Sequence, residues 1–157
     1  MNFIIREMGE SEYAVLDDFL YEAIFIPEGV SSPSREIIYQ PELQVYVDGF
    51  GTIDGDYAFV ADLNGKIVGA VWTRIMNDYG HIDNDTPSFA ISLYKEYRNK
   101  GIGTALMKTM LNRLKKAGYR KASLAVQKEN YAVKMYKNVG FTVVDENDTE
   151  YIMLCEL

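Results

Sequence analysis

Phe89-Ala90-Ile91-Ser92-Leu93, followed a few residues later by Arg98-Asn99-Lys100-Gly101-Ile102-Gly103, decides how this chain is read. The first run is apolar and has the length of a strand. The second opens an amphipathic segment from Thr104 to Ala117. A helix start presents unpaired backbone N–H groups and the positive end of the helix dipole. An anion placed there accepts several hydrogen bonds at once. Gly101 and Gly103 let the backbone approach such an anion closely and tolerate positive φ, with the amides of Asn99 to Thr104 as donors. Arg98 and Lys100 add positive charge at the same place. Taken alone, the hexapeptide reads equally well as a strand-to-helix turn with solvated basic residues. Two rival phosphate loops fail by letter. A dinucleotide fingerprint requires glycine where Leu106 stands, and no Gly-Lys-Ser/Thr closes a P-loop.

Outward from this centre, the chain alternates strand-like and helix-like stretches. Residues 3–7 read as a strand. Ser11 caps a helix whose apolar face is Leu16, Phe19, Leu20, Ala23 and Ile24, and Pro27-Glu28-Gly29 ends it. Ser34 caps a second short helix that Pro41 interrupts or terminates. Residues 45–56 are rich in Gly and Asp and read as a loop. Tyr57 to Ala61 and Lys66 to Ile75 are strands joined at Asn64-Gly65, a pair that accepts the positive φ of a tight hairpin. A polar connection, residues 77–86, leads into the strand Ser88 to Leu93. The helix after it buries Ile102, Leu106, Met110 and Leu114, widened by Ala105, Leu111 and Ala117, and Gly118 caps its end. Tyr119 to Val126 is a strand, Asn130 to Asn138 a short helix, and Phe141 to Val144 and Tyr151 to Leu154 the last strands. The order β-α-α-β-β-β-α-β-α-β-β makes an α/β (α+β) fold in a single domain, residues 1–157.

Composition narrows the function classes. A length of 157 residues with 48% hydrophobic and 25% charged residues suits one water-soluble domain with a substantial core. No apolar run reaches the roughly 18 residues of a membrane span, and the N-terminus does not read as a signal peptide. A net charge of −7 argues against nucleic acid as a partner. One His and one Cys leave no zinc-type ligand set, so no metal is expected. Cys155 sits in an alternating strand pattern and reads as a buried or edge thiol rather than a nucleophile. A cytoplasmic location fits.

A second motif, Asn130-Tyr131-Ala132-Val133-Lys134-Met135-Tyr136-Lys137-Asn138-Val139-Gly140-Phe141, lies one helix and one strand beyond the first. Together with the element order, the two motifs resemble the GCN5-related N-acetyltransferases, or GNATs, over nearly the whole length. The resemblance implies a mixed, mostly antiparallel sheet of about seven strands flanked by four helices. It also implies acetyl-CoA as co-substrate and transfer of its acetyl group to a primary amine by direct attack in a ternary complex. The strands ending at Leu93 and near Val126 are expected to splay, with the pantetheine arm lying along Ile91, Ser92, Leu93 and Tyr94. Arg98, Asn99, Lys100, Gly101, Ile102, Gly103 and Thr104 are expected to hold the pyrophosphate. Asn130, Ala132 and Lys137 complete the cofactor set. Asn130 also reads as a helix cap and Lys137 as a solvated lysine. Tyr136 matches the general acid that meets the departing CoA sulfur, and its plainer reading is a core aromatic.

The chain departs from the family pattern at the base. Some relatives place a glutamate early in the strand before the phosphate loop, and the matching position here is Pro87. Asp85 and then His81 are the remaining candidates beside a water chain with no single base. Tyr21, Phe25, Glu28, Trp72 and Arg74 are the candidate acceptor-site residues, with core and rim packing as the alternative. The acceptor is an amine-bearing small molecule or protein, and the chain acts as a monomer or homodimer. The rival reading is a non-catalytic acyl-CoA-binding sensor or interaction module of the same fold.

Overall fold

A computed structural model describes residues 2–157. Its seven strands form one sheet in the order β1-β2-β3-β4-β5-β7-β6. They are β1 (Ile4–Glu7), β2 (Tyr57–Leu63), β3 (Lys66–Arg74), β4 (Ser88–Leu93), β5 (Lys121–Gln127), β6 (Thr142–Glu146) and β7 (Glu150–Glu156). Four α-helices flank it: α1 (Leu16–Glu22), α2 (Pro41–Gln44), α3 (Ile102–Lys116) and α4 (Ala132–Asn138). This is the mixed, mostly antiparallel α/β architecture the sequence leads one to expect. Every pairing is antiparallel except β4 with β5.

That parallel pair positions the site. β4 pairs with β3 along its whole length, from Arg74–Ser88 to Gly69–Leu93. β5 likewise pairs with β7 from Lys121–Glu156 to Gln127–Glu150. Between β4 and β5 a single register pair remains, Ser88 with Ser123. Beyond it the strands part, and the β4 edge from Phe89 to Leu93 faces an open fork. An open edge leaves backbone N–H and C=O groups without partners.

Alternation along β4 sends its side chains to two cores. Phe89 joins the cluster under α3 and α4 with Leu106, Met110, Tyr136 and Phe141. Ala90 packs on the opposite cluster, built by Leu16, Phe19, Leu20 and Trp72 under α1. The Ser92 hydroxyl donates to the Phe19 carbonyl at 2.6 Å, tying β4 to α1.

Several local expectations need correction. A 3₁₀ turn over Glu10–Val15 precedes α1, so the helical run starts at Gly9 rather than Ser11. The Glu12 carboxylate accepts the Gly9 amide at 2.9 Å there. The second short helix is a 3₁₀ turn, Arg35–Tyr39, capped by Ser34 and ended just before Pro41 as expected; Pro41 then opens α2, where its missing N–H is free of cost in a first turn. In α3 the buried stripe is Ile102, Gly103, Leu106, Met107, Met110 and Leu114, while Ala117 is exposed. The hairpin turn holds: Asn64 and Gly65 take φ of 53° and 90°.

Candidate functional site

The fork, the N-terminus of α3 and the loop after α1 enclose a cleft of about 930 Å³. Along one wall the chain climbs from β4 into α3. Asn99 and Gly101 adopt φ of 61° and 85°, which turns the loop so that successive N–H groups point one way. No side chain caps α3. None of the amides from Asn99 to Thr104 finds an acceptor among the described residues. Such a row of free donors at a helix start favours an anion. Gly103 packs closely on α4, since a Cβ there would sit 3.1 Å from Met135 Sδ.

Of the residues expected to hold the cofactor, Ile91, Ser92, Leu93, Arg98, Asn99, Gly101, Gly103, Thr104, Asn130, Ala132 and Tyr136 line the cleft. Asn130 Oδ1 accepts the Ala132 amide at 2.9 Å, so its capping role is real and its amide nitrogen remains available. Arg98 differs from expectation in its partners. Its Nε donates to the Leu93 carbonyl at 3.0 Å, and its Nη2 lies 3.4 Å from Glu22 Oε2. Its guanidinium thus joins β4 to the end of α1 as well as adding charge. Ile102 contributes only backbone, its side chain being buried in the core. Tyr94 is turned towards α1, with its ring 4.9 Å from that of Phe19. Lys100 and Lys137 are exposed and do not line the cleft. Lys95 and Lys134 supply cations there instead. Lys134 sits inside the second motif and Lys95 between β4 and the glycine loop, but only the fold shows which lysines face inward.

Tyr136 is buried against Phe141, ring centroids 6.2 Å apart, and also lines the cleft. Burial pushes its phenol above the ordinary tyrosine value, which keeps it protonated near neutral pH. It is a donor on the wall of the cleft.

The acceptor-side candidates divide. Tyr21 and Phe25 line the cleft, and the Tyr21 hydroxyl donates to the Pro33 carbonyl at 2.6 Å, closing the loop after α1. Glu28 is exposed outside it. Trp72 and Arg74 are structural. Trp72 is wholly buried, and its indole N–H donates to the Tyr46 carbonyl at 3.1 Å. Arg74 forms a two-point ion pair with Asp56, both bonds 3.0 Å, and donates to the Val45 and Asp48 carbonyls. Every polar group on these two side chains is occupied, so neither is offered to a substrate. Asp85 is exposed, and His81 Nδ1 lies 2.9 Å from the Met76 carbonyl. Neither lines the cleft.

A model of the acetyltransferase (GNAT) family matches residues 21–141, well over half of the 157. The chain belongs to the GNAT family. The match covers both motifs and every wall of the GNAT cleft named above. A probable N-acetyltransferase, san, of Drosophila melanogaster is 34% identical over 101 residues, which cover 62% of this chain and 53% of that protein. The GNAT chain therefore spans about half the length of this relative. Among solved structures, a GNAT-family acetyltransferase from Streptococcus pneumoniae superposes with a TM-score of 0.73 at 24% identity, covering 99% of this chain and 100% of that one. The PaiA N-acetyltransferase of Thermoplasma acidophilum, solved in complex with coenzyme A, also gives 0.73 at 21% identity, with both chains fully covered. At those identities the likeness is one of fold.

Proposed function

We propose that this chain, acting as one unit over residues 1–157, is an N-acetyltransferase that moves an acetyl group from acetyl-CoA to a primary amine. The observation that carries the reading is the row of unpartnered amides from Asn99 to Thr104 in a cleft that Tyr136 also lines. Anionic phosphates suit the first. An amide-bearing arm suits the open β4 edge, which it extends like another strand. Lys95, Arg98 and Lys134 concentrate positive charge on this cleft in a protein of net charge −7. The complex of PaiA with coenzyme A supports the same ligand class.

The chemistry is direct attack in a ternary complex. The amine lone pair adds to the thioester carbonyl, and the C–S bond breaks. Tyr136 donates a hydrogen bond as charge grows on sulfur and passes its proton to the leaving thiolate. Cys155 is buried in β7, and burial raises its thiol above the usual range, so it makes a poor acyl carrier. Acceptors of this class include small amines, amino sugars, polyamines, protein N-termini and lysines. A cytoplasmic setting suits a chain with no helix, among the described residues, long and apolar enough to cross a membrane.

Placement of Asp85 and His81 outside the cleft favours a second reading, an acyl-CoA-binding sensor without turnover. Titration of acetyl-CoA followed by thiol release across an amine panel separates the two. Saturable binding with amine-dependent release supports the enzyme. Binding without release supports the sensor, and absence of binding removes both.

A further inference from the structure

The loop after α1 supplies the part of the cleft wall that the cofactor set leaves over. It departs from α1 at Glu22, where Arg98 Nη2 lies 3.4 Å from the Glu22 carbonyl and Arg98 Nε donates to the Leu93 carbonyl at 3.0 Å. The loop therefore starts against the open β4 edge. Further along, the Tyr21 hydroxyl donates to the Pro33 carbonyl and ties the loop back to α1. Between these points Ile24, Phe25, Ile26, Val30 and Pro33 all line the cleft. Val30 is 56% exposed, and the other four are half-buried. Ser32 is the one polar side chain that this stretch adds to the lining. Apolar side chains gathered on one stretch of a cleft wall favour a ligand that covers them with an apolar group of its own.

The charges on the lining are equally selective. Its carboxylate is that of Glu22, whose Oε2 lies 3.4 Å from Arg98 Nη2. The other titratable side chains there are the cations Lys95, Arg98 and Lys134 and the phenols Tyr21, Tyr131 and Tyr136. Among the described residues, the cleft thus has neither an unpaired carboxylate nor an imidazole to hold an ammonium group or to take its proton. A polycation is recognised through such groups. An ammonium is also no nucleophile, so the amine that reacts must arrive neutral. At pH 7 roughly one in ten peptide α-amines is neutral, with a pKa of about 7.7–8.0, against roughly one in 2,500 lysine amines at about 10.4. A cleft of this kind suits the weaker base.

We propose that the acceptor is the α-amine of a peptide or protein whose first side chain is apolar, that side chain resting on Phe25 and its neighbours in the loop after α1. The inference rests on the transferase reading given above and narrows its acceptor. The neutral amine forms the C–N bond at the thioester carbonyl, and the C–S bond breaks. Tyr136 gives its proton to sulfur and takes back the one that the nitrogen sheds, so no further base is consumed. Polyamines and amino sugars carry ammonium groups that find no free carboxylate on this lining. Lysine side chains bring too little neutral amine.

The test measures kcat/KM by thiol release from acetyl-CoA against pH. The acceptors are matched short peptides beginning with leucine, hexafluoroleucine or serine, an α-blocked peptide with one internal lysine, and a polyamine. The leucine peptide is expected to exceed the serine peptide by about 10-fold or more. It is expected to exceed the blocked lysine peptide and the polyamine by about 100-fold or more at pH 7. The rate rises with pH up to the pKa of the acceptor's own amine. Hexafluoroleucine stays apolar but draws charge from the nitrogen, so it is expected to move that limb to lower pH. Phe25→Ser is expected to shrink the leucine-to-serine ratio to about 3-fold or less, with the Kd for acetyl-CoA unchanged by calorimetry. Val30→Ser, at an exposed position, shrinks the same ratio and decides the matter if Phe25→Ser fails to fold. Faster turnover of the polyamine or the lysine peptide overturns the inference and leaves the transferase reading intact. So does a limb that stays fixed between leucine and hexafluoroleucine, which puts the titrating base on the protein. Weaker acetyl-CoA binding by Phe25→Ser at an unchanged ratio also overturns it, because the loop then covers the cofactor arm instead. A protein that binds acetyl-CoA but releases thiol to none of these amines overturns both readings together.

Discussion

Tyr136 and Arg74 show what a single residue can and cannot reveal. Tyr136 lies in a motif whose spacing survives in the linear chain, and the fold places it in the cleft with a phenol kept protonated by burial. Tyr136→Phe removes one hydroxyl without changing the ring contacts with Phe141. It is expected to lower kcat by roughly 100-fold or more, with acetyl-CoA affinity unchanged by calorimetry. Equal turnover in the two proteins would count against the general-acid role. Arg74 offers the opposite case. As letters, Trp72 and Arg74 look like an aromatic and cationic wall. Their partners are Tyr46, Asp48 and Asp56, remote in sequence, and no local pattern announces those contacts. Arg74→Ala leaves Asp56 buried without its counter-charge. A loss of about 3–5 kcal/mol is expected in urea unfolding. Acetyl-CoA binding by the folded fraction is expected to persist, because Arg74 is remote from the cleft.

Elements were read more securely than their ends. β4 coincides with its expected span, Ser88 to Leu93, and the long helix after it is present with a shifted start. Period-2 and period-3.6 patterns arise from the local geometry of the backbone and so survive in the sequence. The stripe of α3 includes Met107, whereas Ala117 lies past the last helical residue, at the C-cap, and is exposed. Pro41 separates the 3₁₀ turn Arg35–Tyr39 from α2, because the same missing N–H stops one helix and suits the first turn of another. The start of α3 carries its own test. Gly101 holds φ of 85°, so Gly101→Ala is expected to cost about 1 kcal/mol in stability. It is also expected to weaken acetyl-CoA binding by re-aiming the amides around it. Gly103→Leu forces a side chain into Met135 and the cleft at once, and is expected to abolish detectable binding by titration while far-UV circular dichroism stays helical.

Across the whole molecule, one sheet divides two cores, and the fork between β4 and β5 joins them at the site. The N-terminal strand is tied to this body by Arg6, which bridges Glu12 at 2.8 Å and Asp62 at 3.0 Å. The hydrogen bond from Arg6 holds the Glu12 carboxyl at about 2, below its ordinary 4.5. A lowered carboxylate contributes stability fully above its unfolded value and loses it as pH falls through the folded one. The urea midpoint is therefore expected to drop between pH 4.5 and about 2, and Glu12→Gln to flatten part of that slope. An unchanged slope in the variant would assign the acid sensitivity elsewhere. By itself the sequence determined the element order, the glycine-bearing anion loop, the second motif with Tyr136, and hence the family. All of these depend on short-range geometry: backbone periodicity, turn conformation and fixed spacing. Only the tertiary structure decided which lysines face the cleft, that Trp72 and Arg74 are structural, and that the carboxylate on the cleft wall, Glu22, is paired with Arg98. Those facts follow from strand register and side-chain burial, which bring together residues far apart along the chain and so leave no local pattern in it.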